Sequence, residues 1–515
     1  MLVKRFAVVA VIALLAASPA FGAAVTSIST VENNPTNASS VKFLVTFDTS
    51  ISGGSASNFS LTTTGVSGAS ISGVTGSGFT RTVTVNSGSG TGTIKVNLAN
   101  STGMSPSVTA YSSGEVLNID KTAPTVSSIV RMTPDNTKLD RVNWKVTFSE
   151  KMLGGATSNF SVYTTGISGA SVTGIMGNGI VANAKATERY VTASTGTGNT
   201  GSIRLDLSSV TGLTDLAGNA LAGTYSSGQA YAISRASKTG QTVTNQTFTS
   251  TQSFSGLDYV TVSNCTFQNF TGYGALVISN CGDVKILDCT FQNVGSSSGD
   301  YGIIAGFGNK NVDINGCDII NVTTDTAAIK FPIGGVVAGR RSCDVRINDL
   351  FIDGVNENGS APYYASDGIR MFQVDLLRVT NSQISYCSNA GIGLALNQGG
   401  NLPTFPYTYR TYGVPDSDLN AVLIDSNYIH HTRGECISSQ AFSWNTKIVN
   451  NELAYAAYDG YGARTCTAED SGCGDHNTYW QGPGVHIVDN YYHHNMDGVD
   501  GTLLAAHLVA EPPNL

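Results

Sequence analysis

The sequence predicts an all-β chain: two tandem β-sandwiches followed by a solenoid of stacked coils. Three observations predict it. Only 12% of the 515 residues are charged, Gly numbers 58, and apolar stripes of period 3.6 are hard to find, which suits short strands and many turns. A block of about 100 residues occurs twice in the first half. After Ser234 a much shorter pattern takes over and recurs eight times.

Taken in order, residues 1–22 read as a secretory leader. Lys4 and Arg5 form a charged start, Phe6 to Ala17 an apolar core, and Ala20-Phe21-Gly22 a small-residue cleavage site. The apolar run is too short and wrongly flanked for a stable span, and no later stretch is long enough to cross a membrane. A soluble, extracytoplasmic chain is expected, secreted or at the cell surface. The net charge of −8 argues against nucleic acid or an anionic membrane surface as partner.

The two copies occupy residues 25–120 and 124–233. "ASNFSLTTTGVSGASISGV" (56–74) matches "TSNFSVYTTGISGASVTGI" (157–175), and "GTIKVNL" (92–98) matches "GSIRLDL" (201–207). Alternating stretches such as "VKFLVTF" and "WKVTFSE" between Gly/Ser/Asn turns fit a two-sheet sandwich. The copies resemble bacterial Ig-like repeats of surface proteins, with "TDLAGNAL" (214–221) as a loop typical of them. That resemblance implies spacing or attachment. The two copies should form separate sandwiches, dispensable for any catalysis.

The third region, 235–515, carries the short pattern. "VTVSNCTFQNF" (260–270), "VKILDCTFQNV" (284–294) and "VDINGCDIINV" (312–322) are its first examples, and "VHIVDNYYHHN" (485–495) its last. Positions one and three are apolar, five is a turn former, and eight is apolar or aromatic. Cys265, Cys289 and Cys317 share one frame and are expected to stack inward as a thiol column, beside Phe267, Phe291 and Ile319. Cys466 and Cys473 flank "CTAEDSGC", where an exported protein would form a local disulfide. The pattern resembles the right-handed parallel β-helix of the pectin-lyase-like superfamily. The resemblance implies that "V-x-I" is the second strand of each coil and "C-x-F" the third. A long loop would then lead to the next first strand, as in "DGIRMF" (367–372). A solenoid needs its open apolar end covered. "TLLAAHLVAEPPNL" after Gly501 is either that cap or the sign of an incomplete chain.

All seven histidines lie between His430 and His507. His430 and His493 occupy position nine of their coils, and His431 and His494 position ten, where earlier coils have Asn269, Asn293 and Asn321. One reading makes His a substitute for Asn at the turn; the other makes it part of a groove. A metal held between the two pairs is disfavoured, because they stand about 9–10 Å apart with no third ligand evident.

Aligning "SDGIRM", "GECISS", "YDGYGA" and "MDGVDG" puts Asp367, Glu435, Asp459 and Asp497 in one frame. Stacked carboxylates raise one another's pKa and suit a cation such as Ca2+ or acid/base work; the alternative is a turn residue before Gly. The candidate catalytic set is Glu435, Asp459, Asp497, His431, His494 and Arg433. Arg370, Arg464, Tyr407, Tyr409, Tyr412 and Trp480 are candidate substrate-binding residues, since rings beside carboxylates suit carbohydrate. Glu435 and Asp459, one coil apart, would match the roughly 5 Å of a retaining hydrolase; Glu435 and Asp497 would suit the wider inverting geometry. The family's "G-H-G", "R-I-K" and "R-x-P-x-x-R" motifs are absent from the sequence, so no catalytic residue is carried over from it. Two functions remain: a monomeric, exported polysaccharide lyase or glycoside hydrolase, or a non-catalytic adhesin or glycan-binding protein on an Ig-like stalk.

Overall fold

A computed structural model describes residues 22–177, 184–296, 301–332, 341–356, 366–394, 419–439, 443–456, 478–480 and 485–493. It is all-β. Two Ig-like sandwiches of antiparallel strands precede three long sheets of parallel strands that form a β-helix. Residues 1–21 of the proposed leader and the Cys466–Cys473 pair lie outside the described residues. Among those residues no helix is long and apolar enough to cross a membrane.

The chain divides into two compact units. One runs to Ala123 and takes in Leu216–Asn219; the other comprises Pro124–Asp215 and Ala220–Leu515. In the first unit a four-stranded sheet (Val25–Thr30, Ser40–Ile51, Gly78–Asn86, Ser70–Thr75) faces a three-stranded one (Phe59–Thr64, Gly92–Leu98, Val116–Ile119). Period-2 alternation points Val41, Phe43, Val45 and Phe47 inward, against Val83, Ile94 and Val96. The second copy repeats the arrangement around Trp144, Val146, Val191 and Ile203. Each sandwich also buries one arginine at matching positions. Arg81 donates to the carbonyls of Ile51 and Gly53, and Arg189 to those of Met152 and Gly154. Burial alone lowers Arg189 to about 10, which still leaves it charged at neutral pH.

Among the described residues the first coil supplies a strand to sheets II and III, and each later coil one to sheet I, then sheet II, then sheet III. Sheet II holds nine strands from Gly240–Thr244 to Val485–Val488. Sheet III holds nine from Thr247–Phe248 to Tyr491–His493, and sheet I eight from Gln252–Ser255 to Thr478–Trp480. The eight sequence segments fall on sheets II and III in register, Val260↔Val284↔Val312↔Val345 and onward. A ninth coil precedes them, built on Val243, Asn245 and Phe248. Gln241 replaces its first apolar position, which hides it from the pattern.

The turn between sheets II and III is made at position five. Asn264, Asp288, Asp349, Asn381, Ser426, Asn450 and Asp489 all have φ between 50° and 58°, and Gly316 has φ 64°. Asn and Gly tolerate this left-handed conformation best, which is why turn formers recur there. Just beyond it, Cys265, Cys289 and Cys317 are buried, and all seven described cysteines are free thiols. Phe267 and Phe291 stack at 4.7 Å, with Ile319 next in the row. In later coils the thiol frame becomes a buried amide ladder: Asn427 N–H donates to Asn451 Oδ1 and Asn451 N–H to Asn490 Oδ1, both at 3.0 Å.

The boundary near Ser234 separates two folds but not two units, because the second sandwich packs on the solenoid. Met176 and Tyr190 meet Cys343, Leu376 and Ala421. Arg141 bonds Asp313 at 2.6 Å and Asp344 at 3.0 Å; Arg346 and Arg378 reach the same Asp344 at 2.9 and 3.1 Å. Asp283 accepts from the backbone of Asp140 and from Lys238. The expectation of a separate second sandwich is therefore corrected. The outer face of its sheet containing Arg141–Phe148 is not a free surface.

Candidate functional site

The outer face of sheet III in the last coils is where rings gather. Position ten lies within the sheet III strand at Asn269, Asn293, Asn321, Gly354 and Tyr386 and just after it at His431 and Tyr455, and its φ is positive in all of these coils. The first three form an amide ladder, Asn293 to Asn269 at 3.2 Å and Asn321 to Asn293 at 2.7 Å. His431 thus holds the backbone place of the earlier Asn residues, as the turn-substitute reading expects. A ring with a Cβ costs roughly 1–2 kcal/mol more than Gly in this conformation.

The rings offset part of that cost by stacking. Tyr386 and His431 lie 5.0 Å apart and 24° from parallel; His431 and Tyr455 lie 4.3 Å and 22° apart. A stacked ring has its faces covered. His431, stacked on both sides, therefore presents its edge, while Tyr386 and Tyr455 are each covered on one face by a described ring. Tyr386 is half exposed. In the neighbouring row, Tyr428 stacks on His430 at 4.1 Å, and His493 Nε2 meets Glu452 Oε1 at 3.0 Å.

His430 and His431 touch directly, Nδ1 to Nδ1 at 2.7 Å. His430 is nearly buried, and its Nε2 lies 3.3 Å from the Gln383 amide nitrogen. Burial, then the adjacent His431, pushes the His430 pKa down; burial does the same to His431. Both imidazoles are accordingly biased to the neutral form, in which a ring nitrogen can accept a proton or ligate a metal.

The carboxylate frame is met in part. Sheet I register runs Ile369↔Ile392↔Ile437, so Asp367, Ala390 and Glu435 do share one position. Asp367 is fully buried and tied down: Arg370 Nε donates to it at 2.6 Å, Asn389 Nδ2 at 2.6 Å and the Ala390 amide at 3.1 Å. Arg370, proposed for substrate, is thereby engaged inside the coil. Lys330, a buried cation beside it in register, was missed; its signal is a lone Lys in the apolar strand "AAIKF". Glu435 is partly buried, and the backbone N–H of Arg433 donates to Cys387 O.

The next coil corrects the sequence alignment. Its sheet I strand is Thr478–Trp480, paired Ile437↔Thr478, so the frame of Glu435 does not pass through Asp459. The long, aperiodic connection of that coil gave no register to read. Trp480 pairs with Ser439, on the row of buried Phe331, Met371 and Leu394. Asp459, Asp497, His494, Arg464, Tyr407, Tyr409 and Tyr412 lie outside the described residues. The structure therefore brings together His430, His431, Tyr386, Tyr428 and Tyr455. The three tyrosines were not singled out as binding residues, although each occupies a fixed position of its coil.

No protein-family model and no curated protein matches the chain. Among solved structures it is similar to FdeC, an Escherichia coli adhesin, at 15% identity and TM-score 0.21, over 39% of this chain and 63% of that one. It is also similar to domains 4–9 of the surface layer protein SbsC, at 15% identity and TM-score 0.13, over 43% of this chain and 34% of that one. The chain thus spans less than two thirds of either, and likeness at these TM-scores carries no argument about function.

Proposed function

We propose that the protein is an exported, cell-surface glycan-binding solenoid, with the ring column of the last coils as its binding strip. The observation that carries the reading is the exchange at position ten. Asn and Gly, which adopt the left-handed conformation at least cost, give way to Tyr386, His431 and Tyr455 where the rings form one column. Strained positions occupied by functional side chains are a recurring mark of binding sites.

The strip repeats one ring per coil, with successive centroids 5.0 and 4.3 Å apart. Its edge groups both donate and accept hydrogen bonds, as sugar hydroxyls require. A regular polymer can meet such a row several times over, so weak contacts add. The leader-like start and the Ig-like repeats support an exported setting, and the ion-paired Asp367 supports a structural role for its frame.

Co-sedimentation of the full chain with a panel of insoluble polysaccharides tests the reading. At least one polymer should be retained, and Tyr386→Ala with Tyr455→Ala should weaken retention at least about tenfold, or about 1.4 kcal/mol. Equal retention of wild type and variant refutes the strip. Shortening of a polymer by the wild type, with loss in Glu435→Gln, moves the assignment to a hydrolase or lyase with Glu435, Arg433 and His431 as its described residues.

A further inference from the structure

We propose that His430 and His431 chelate a divalent transition metal through their two Nδ1 atoms, with Cu2+ held most tightly. This does not depend on the strip binding glycan, and it differs from a metal shared between the two distant His pairs. Two imidazole nitrogens 2.7 Å apart repel through their lone pairs unless a proton or a cation lies between them. The other nitrogen of His430 can select between the two arrangements: the Gln383 amide nitrogen facing it favours a proton on Nδ1, and the amide oxygen facing it favours a proton on Nε2. It faces the Gln383 amide, whose oxygen and nitrogen are interchangeable by rotation. With the amide oxygen turned inward, His430 donates Nε2–H to Gln383, and its Nδ1 is left as a lone pair. That is the outer hydrogen bond by which metal-binding histidines are oriented.

The proton between the rings then belongs to His431. When a cation replaces it, His431 shifts to its Nε2–H tautomer by exchange with water, and both rings stay neutral with no net proton released. The bite selects among metals. With metal–nitrogen distances of about 2.0–2.1 Å, a 2.7 Å separation subtends roughly 80° at the ion, near the right angle of tetragonal Cu2+ and far from a tetrahedral angle. The rings are pre-oriented: His430 lies against Tyr428, and His431 is held between Tyr386 and Tyr455. Asp353 and Glu452 are close enough to His430 to favour positive charge there. Water would complete the coordination.

Calorimetric titration of the full chain with Cu2+ at neutral pH, paired with electron paramagnetic resonance, tests this. One Cu2+ site coupled to two nitrogen nuclei is expected. His430→Gln and His431→Gln should each weaken it at least about tenfold, and Gln383→Leu by about tenfold through loss of the orienting bond. His486→Gln should leave it unchanged, and Zn2+ should bind more weakly. Cu2+ binding that is the same in the His430→Gln, His431→Gln double variant overturns the proposal, as does coupling to a single nitrogen. If that variant does not fold by circular dichroism, the nitrogen count in the wild type and the Gln383→Leu affinity decide.

Discussion

Asp344 is a buried carboxylate facing three guanidinium groups, and it shows how single residues hold this molecule together. Burial by itself would raise its pKa, but Arg141, Arg346 and Arg378 together hold it below the usual carboxylate value. Asp344→Ala would leave buried positive charge without its counter-ion and should cost about 3–5 kcal/mol, read as a lower midpoint in urea. Its folded pKa is depressed, so its contribution is present above the unfolded value of about 3.9 and is lost as pH falls further. His430 and His431 are also depressed, and they lie nearer neutrality. Their contribution is present above the unfolded value of about 6.5 and is lost as pH falls through their folded values. A thermal melt should therefore weaken in two acid stages, the first below about pH 6.5 and the second below about pH 4. His430→Gln with His431→Gln should abolish only the first stage. None of this could be read from the sequence, because Arg141 and Asp344 are separated by 203 positions.

At the scale of the element, two left-handed columns and one core column define a coil. Phe291 stacks between Phe267 and the Ile319 row, so Phe291→Ala opens a cavity inside a continuous stack. It should cost about 3–5 kcal/mol, more than the same change at the first coil's partly exposed Phe248. Position ten offers a cleaner separation of stability from binding. Tyr455→Asn removes a stacked ring and relieves backbone strain at φ 51°, two effects that oppose each other. Its stability should change by less than about 1 kcal/mol, while retention on a bound polysaccharide falls. A loss above that range would make the ring column structural. The inward thiols were legible in the sequence because the side chains repeat in step with the coil. The first coil and the register of the Thr478–Trp480 strand were not: one lacks an apolar first position, and the other follows a connection without period.

At the scale of the molecule, the second sandwich is part of the solenoid's support. A chain beginning near Ser234 would expose Cys343, Leu376 and Ala421 and remove Arg141 from Asp344 and Asp313. A chain beginning at Pro124 keeps all of these contacts. The shorter one should melt at a lower temperature or aggregate, and the longer one should keep the solenoid's cooperative transition; differential scanning calorimetry compares them. Equal melting of the solenoid in both would show that the joint contributes nothing.

The sequence by itself determined the all-β class, the two related sandwiches, the repeat of the coil and the inward row of thiols and phenylalanines. Each of these is a local periodicity, and backbone geometry converts a period into a face without reference to distant residues. Only the tertiary structure decided the contact between His430 and His431, the burial of Asp367 against Arg370 and Asn389, and the joint at Asp344. Those depend on how loops of unequal length set the register and on which residue, hundreds of positions away, arrives opposite. A carboxylate in a frame reads the same in sequence whether it faces a ligand or an arginine. The difference lies in solvation and in the nearest charge, which are properties of the folded chain.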